Sequence, residues 1–129
     1  GNPIAMAAGL ASLKKLKANP EIYATLEKRA LRLMEGFKEA SDAVNIPMVT
    51  EVRGSMFGFF FSNKVVKNFD DALANNTVLF GKFHGKMLEK GVYLACSSFE
   101  TGFISTATTD EMIEEAILMA KESLQELMA

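Results

Sequence analysis

Between Glu21 and Val44 the apolar residues return every three or four positions. Ile22, Leu26, Ala30, Leu33, Phe37, Ala40 and Val44 make one stripe, with charged and polar side chains between them. That period predicts an amphipathic helix with a single buried face. Asn19 is placed to cap it, and Pro20 suits its first turn. A second stripe, Ile113, Ala116, Ile117, Ala120, Leu124 and Leu127, predicts a C-terminal helix. It opens near Thr108-Thr109-Asp110-Glu111, where Thr108 and Glu111 have capping-box spacing. A shorter helix is predicted over "TVLFGKFHGKMLEKG", with Phe80, Phe83, His84, Met87 and Leu88 on one face and Gly91 ending it.

Elsewhere the period shortens. "IPMVTEVRGSMFGFFFS" reads as two strands, Met48–Arg53 and Met56–Ser62, joined by a tight turn at Gly54-Ser55. Phe57, Phe59, Phe60 and Phe61 break strict alternation and predict a strand buried on both faces. "KNFDDALANN" predicts a loop containing a short helical turn. "VYLAC" and "FISTA" read as short strands flanking the loop "SSFETG". The resulting order implies a mixed α/β domain (α+β, two layers) with a small, largely antiparallel sheet covered by helices.

One segment fits a small domain poorly. Asn2 can cap a helix, and from Pro3 to Ala11 there is no polar side chain at all. A helix that is apolar nearly all round is normally buried on every side, and a terminus of a small domain cannot supply that cover. The chain is therefore expected to belong to a larger molecule whose remaining part packs on this helix.

Composition narrows the function classes. With 129 residues, 49% apolar and 23% charged, the chain matches one globular domain. A net charge of −2 with interspersed signs gives no electrostatic footprint for nucleic acid. No run approaches the ~20 apolar residues of a membrane span, and no signal peptide is visible, so a cytoplasmic location away from membranes is expected. The single cysteine, Cys96, allows no intrachain disulfide and is expected to be buried and structural. The single histidine, His84, lies on a predicted apolar helix face without a second ligand nearby, which predicts a partly buried, satisfied ring and no metal site. Met34, Met87, Met112 and Met119 fall at or beside helical apolar positions, as core filler does. Gly54 and Gly58 read as a turn glycine and a strand glycine, because no helix follows them to hold a phosphate.

Glu100 stands out. It puts a carboxylate between Phe99 and Phe103, just after the apolar run "GVYLAC". A loop at a strand's end is where α/β proteins place binding groups. From the residues alone, Glu100 is a solvated loop carboxylate, a cap for backbone N–H groups, or a ligand contact.

The segments "GNPIAMAAGLASL", "RGSMFGFFFS", "FHGKMLEKGVYLA" and "SSFETGFISTATTDEMIEEA" occur together in this order. In combination they resemble the C-terminal part of the glutamate-1-semialdehyde aminomutase family, in the class III branch of the fold-type I pyridoxal-phosphate enzymes. The resemblance runs over essentially the whole chain. It implies that residues 1–18 end a large-domain segment at a dimer interface and that residues 19–129 form the C-terminal small domain of a homodimer. It places the Schiff-base lysine, and most contacts to pyridoxal 5'-phosphate, upstream of Gly1, so no catalytic residue is expected here. It also implies that Glu100 meets the substrate. Class III aminotransferases that bind an α-carboxylate carry arginine at the matching position, whereas the aminomutase intermediate carries amines that a glutamate can attract. Two departures from the family pattern stand out: Thr108 replaces a usual histidine, and Cys96 stands where proline is common.

Overall fold

The Val49–Arg53 and Met56–Phe60 strands, β1 and β2, pair as an antiparallel hairpin with Glu51 opposite Gly58 and Arg53 opposite Met56. Gly54 turns it with φ +59°, a left-handed backbone that glycine adopts without a Cβ penalty. In the computed structural model, which describes residues 1–129, the hairpin is flanked by α1 (Pro3–Ala18) and α2 (Glu21–Ala43) before it. It is followed by α3 (Phe69–Leu73), α4 (Thr77–Glu89), β3 (Gly102–Phe103) and α5 (Asp110–Met128). The sheet order is β1-β2-β3, all antiparallel. A small mixed domain with a short antiparallel sheet and packed helices is the architecture that the hydrophobic pattern predicts.

The core lies where α2, α4 and α5 meet the Phe59 face of the sheet. Phe37 from α2, Phe83 from α4 and Phe59 from β2 are mutual edge-to-face neighbours, with ring centroids 5.6 to 5.9 Å apart. Such pairs add about 0.5–1.5 kcal/mol each beyond burial. The α2 stripe delivers Ala30, Leu33, Phe37 and Ala40 to this core, and α5 delivers Ile113, Ala120 and Leu124. Gly36 lets α2 and α5 approach closely, because a Cβ there would meet the Ile117 side chain at 2.5 Å.

Charges lock α5 from outside. Arg29 Nε donates to Asp110 Oδ1 at 2.7 Å, Arg32 forms a bidentate pair with Glu114, and Lys90 Nζ reaches Glu126 at 2.7 Å. The Arg29 hydrogen bond holds the Asp110 carboxyl below its ordinary range, and Lys90 does the same for Glu126.

Several local expectations change. Asn19 does not cap α2. It closes α1 instead, its Nδ2 donating to the Lys15 carbonyl, while Pro20 begins α2 with no side-chain cap. The α5 cap is Thr109, whose Oγ1 accepts from the Met112 N–H; Thr108 turns back to Ser105. "VYLAC" is extended but not a strand, and "FISTA" contributes only the last residue of a two-residue strand's pairing, Phe103 against Met56. A strand needs a neighbouring ladder, and none lies beside residues 92–96. The phenylalanine strand is not sealed on both faces either: Phe59 and Phe61 are buried, Phe57 and Phe60 only half so. Leu88 and Met112 are exposed, because each lies just off its helix's buried stripe.

The Pro3–Ala18 helix forms as expected, capped by the Asn2 side chain at the Ile4 N–H. None of its residues is buried in this chain, and Ile4, Met6, Leu10 and Leu13 face solvent.

Candidate functional site

The loop that carries Glu100 is hung between two supports. On one side the Leu94 carbonyl accepts a hydrogen bond from His84 Nε2 of α4 at 3.1 Å. That bond requires the proton on Nε2. The His84 ring sits between Phe80, stacked at 6.3 Å, and Tyr93, edge-on at 6.2 Å. It is the partly buried, satisfied histidine that its helix position predicts. On the other side the Ile104 N–H donates to the Ser55 carbonyl in the hairpin turn at 2.9 Å. Between these anchors the chain tightens on itself: the Glu100 N–H donates to the Ser97 carbonyl, and the Phe99 N–H to Ser97 Oγ. Phe99 leans on Phe69 of α3, with ring centroids 6.1 Å apart.

Two cavities of about 250 Å³ each flank this loop. The first opens between β2, α4 and the loop, with Phe57, Phe80, Tyr93 and Leu94 in its wall. The second opens over the sheet face that carries Glu51, Arg53 and Gly58. Glu100 lines both, as do Ser98 and Thr101. The Glu100 side chain is exposed and accepts from no backbone N–H, which removes the capping reading. Its one side-chain hydrogen bond is a long one, donated by the Cys96 thiol to Oε1 at 3.5 Å. Cys96 is therefore exposed on the loop, not buried in the core as expected, because the extended segment bearing it turns that side chain outward.

An exposed carboxylate at the mouth of a cavity walled by aromatic rings can receive a cation, through charge and through the ring faces. No lysine lines either cavity, and the one arginine there, Arg53, is paired with Glu51. No cluster of metal-ligating side chains is present, and no helix is long and apolar enough to cross a membrane. Sequence reasoning singled out Glu100, and the structure brings it to the same cavities as Gly58, which the sequence marks only as a strand glycine. It passed over Ser98, which nothing in the local pattern marks.

No protein-family model matches the sequence. The fold, however, recurs in solved structures. An omega-transaminase from Sphaerobacter thermophilus superposes on 100% of this chain with a TM-score of 0.82 at 20% identity. A transaminase with PLP bound matches 98% of the chain with a TM-score of 0.77 at 24% identity. A glutamate-1-semialdehyde-aminomutase from Pseudomonas aeruginosa PAO1 matches 83% with a TM-score of 0.73 at 20% identity. This chain spans only 29%, 28% and 24% of those three chains. The fold is thus one that transaminases and an aminomutase share, and the three likenesses do not separate the two activities.

Proposed function

We propose that this chain is the C-terminal part of a class III, fold-type I pyridoxal-phosphate enzyme. Within that class we assign it to glutamate-1-semialdehyde 2,1-aminomutase, which forms 5-aminolevulinate for tetrapyrrole synthesis. Residues 19–129 are its small domain, and residues 1–18 the end of a large-domain segment whose uncovered apolar helix packs in a homodimer. The fold shared with solved enzymes of both activities supports the class, and the motif blocks from "GNPIAMAAG" to "SSFETGF" support the aminomutase.

The residues present do not fit the cofactor by themselves. Neither cavity holds a lysine to form an imine, and the phosphate would find only an arginine already paired with Glu51. Cofactor binding and the imine lysine belong, in this reading, to preceding polypeptide. What this chain supplies is the wall that meets the substrate. Glu100 is the observation that carries the assignment: its exposed carboxylate, free of backbone partners, attracts an ammonium and repels a carboxylate.

The test is Glu100→Arg and Glu100→Gln in the longest natural polypeptide containing this sequence. The measured quantity is the ratio of kcat/KM for glutamate-1-semialdehyde to that for glutamate or alanine as amine donor. Reversing the charge should lower that ratio roughly ten- to a hundredfold, with Gln between. A ratio constant within about twofold would leave Glu100 a solvated loop residue. The shared fold of the omega-transaminase supports a second reading, an intermolecular transaminase. Efficient transfer from alanine by the wild type, with no conversion of glutamate-1-semialdehyde, would select it.

A further inference from the structure

Ser98 is 7% exposed and lines both cavities beside Glu100. Buried hydroxyls are normally hydrogen-bonded, since burial without a partner costs free energy. The Ser98 hydroxyl bonds to no other protein atom, unlike its neighbour Ser97, which accepts from the Phe99 N–H. Nor is it sealed away: the only fully enclosed side-chain polar atom without a partner is Asn75 Oδ1, just after α3. The Ser98 oxygen therefore reaches open space, and Ser98 lines the two cavities that it shares with Glu100.

Gly58 gives a second, independent sign that something enters there. It sits in the middle of β2, where glycine weakens a strand, and it pairs regularly with Glu51, so no bulge explains it. An added Cβ would meet nothing within 4 Å, so no contact inside this chain demands its absence. A glycine in a strand interior with open space above it marks a place where another group comes close to the backbone.

We propose that Ser98 is a second recognition residue of the Glu100 site. Its hydroxyl accepts a hydrogen bond from a small molecule's primary ammonium group, which Glu100 holds by charge and which descends over the bare backbone of Gly58. This inference deepens the reading of Glu100 given above and rests on it. A primary ammonium has three donors, and one exposed carboxylate leaves donors to spare. The short, nearly buried hydroxyl takes one of them and fixes the direction from which the amine enters. The site therefore discriminates primary amines from quaternary ones, which keep the charge but have no proton to donate.

The experiment uses the longest natural polypeptide containing this sequence, with 1,3-diaminopropane and its bis-trimethylammonium analogue as probes, followed by calorimetric titration. The wild type should bind the primary diamine saturably and the quaternary analogue at least about tenfold more weakly. Ser98→Ala should weaken the primary diamine roughly tenfold and leave the analogue unchanged, while Ser98→Thr, which keeps the hydroxyl, should stay near wild type. Gly58→Val should leave thermal unfolding within a few degrees of wild type, because its Cβ is unopposed, and should weaken both probes by filling the approach. Equal binding of the primary diamine by wild type and Ser98→Ala overturns the proposal. If Glu100→Gln still weakens binding in that case, the Glu100 reading survives without it. No saturable binding by the wild type overturns both together.

Discussion

The ring of Phe57 occupies the space in which a side chain at position 102 would begin. A β-carbon added to Gly102 would collide with three atoms of that ring, and the β2–β3 pairing sets Phe57 opposite Gly102. The contact fastens the start of β3, and with it the end of the Glu100 loop, to the hairpin.

Gly102→Ala is therefore expected to destabilise the fold by about 1–3 kcal/mol, the usual cost of overpacking. Urea unfolding measures it. Combining it with Phe57→Ala, which removes the opposing ring, should recover part of the loss, giving a coupling of opposite sign to the single changes. Strict additivity would show that the ring does not hold this place.

The α2–α5 crossing makes a parallel case inside the core. Gly36→Ala pushes a methyl against Ile117, and a cost of about 1–3 kcal/mol is expected. Ile117→Ala alone should cost less than a fully buried isoleucine would, because Ile117 is only partly buried. The double variant should be more stable than Gly36→Ala by itself. Denaturant midpoints of the three proteins decide the order.

Acid should loosen α5 first. Arg29 holds the Asp110 carboxyl, and Lys90 that of Glu126, below the ordinary carboxylate range. A depressed folded-state value means that the stabilisation is present above the unfolded-state value and is lost as pH falls through the folded one. Thermal unfolding should accordingly drop between about pH 5 and pH 2, and Arg29→Ala should flatten that drop by removing the Asp110 share. Both groups are solvent-exposed, so high salt should shrink the effect. A drop of equal size in Arg29→Ala would assign it elsewhere.

Removing residues 1–18 should leave the rest of the fold intact. No side chain of α1 is buried by the remainder, so the unfolding midpoint should move by no more than a few degrees. The same truncation should reduce self-association seen by light scattering, because Ile4, Met6, Leu10 and Leu13 present apolar surface that seeks cover. A large fall in the midpoint would mean that α1 supports the domain, with Leu16, its one partly buried side chain, the first contact to test.

How far these features could be read from the sequence follows from how local their causes are. The stripes of α2 and α5 are legible because a helix satisfies its own backbone and needs only a face to bury. The hairpin is legible because Gly54 and Ser55 sit between two β-rich runs. Residues 92–96 have the composition of a strand, but pairing is decided by a neighbour that the segment itself does not contain. The shift of the α5 cap from Thr108 to Thr109 turns on a single residue, and adjacent threonines offer the same chemistry at both positions. Glu100 showed itself by being a charge among aromatics, whereas Ser98 gains its interest only from burial without a partner, a property of the folded chain.

The one-sided pairing of β1 bears on how the molecule behaves in a crowd. Only β2 lies beside it, so its other edge presents unpaired N–H and C=O groups ready to template a foreign strand. Val49, Thr50 and Val52 favour such growth, and Glu51 and Arg53, charged and exposed, oppose it. Pairing two copies through this edge in register would bring each charge against its own like. The two side chains that border the second cavity thus also keep the sheet from becoming the seed of an aggregate.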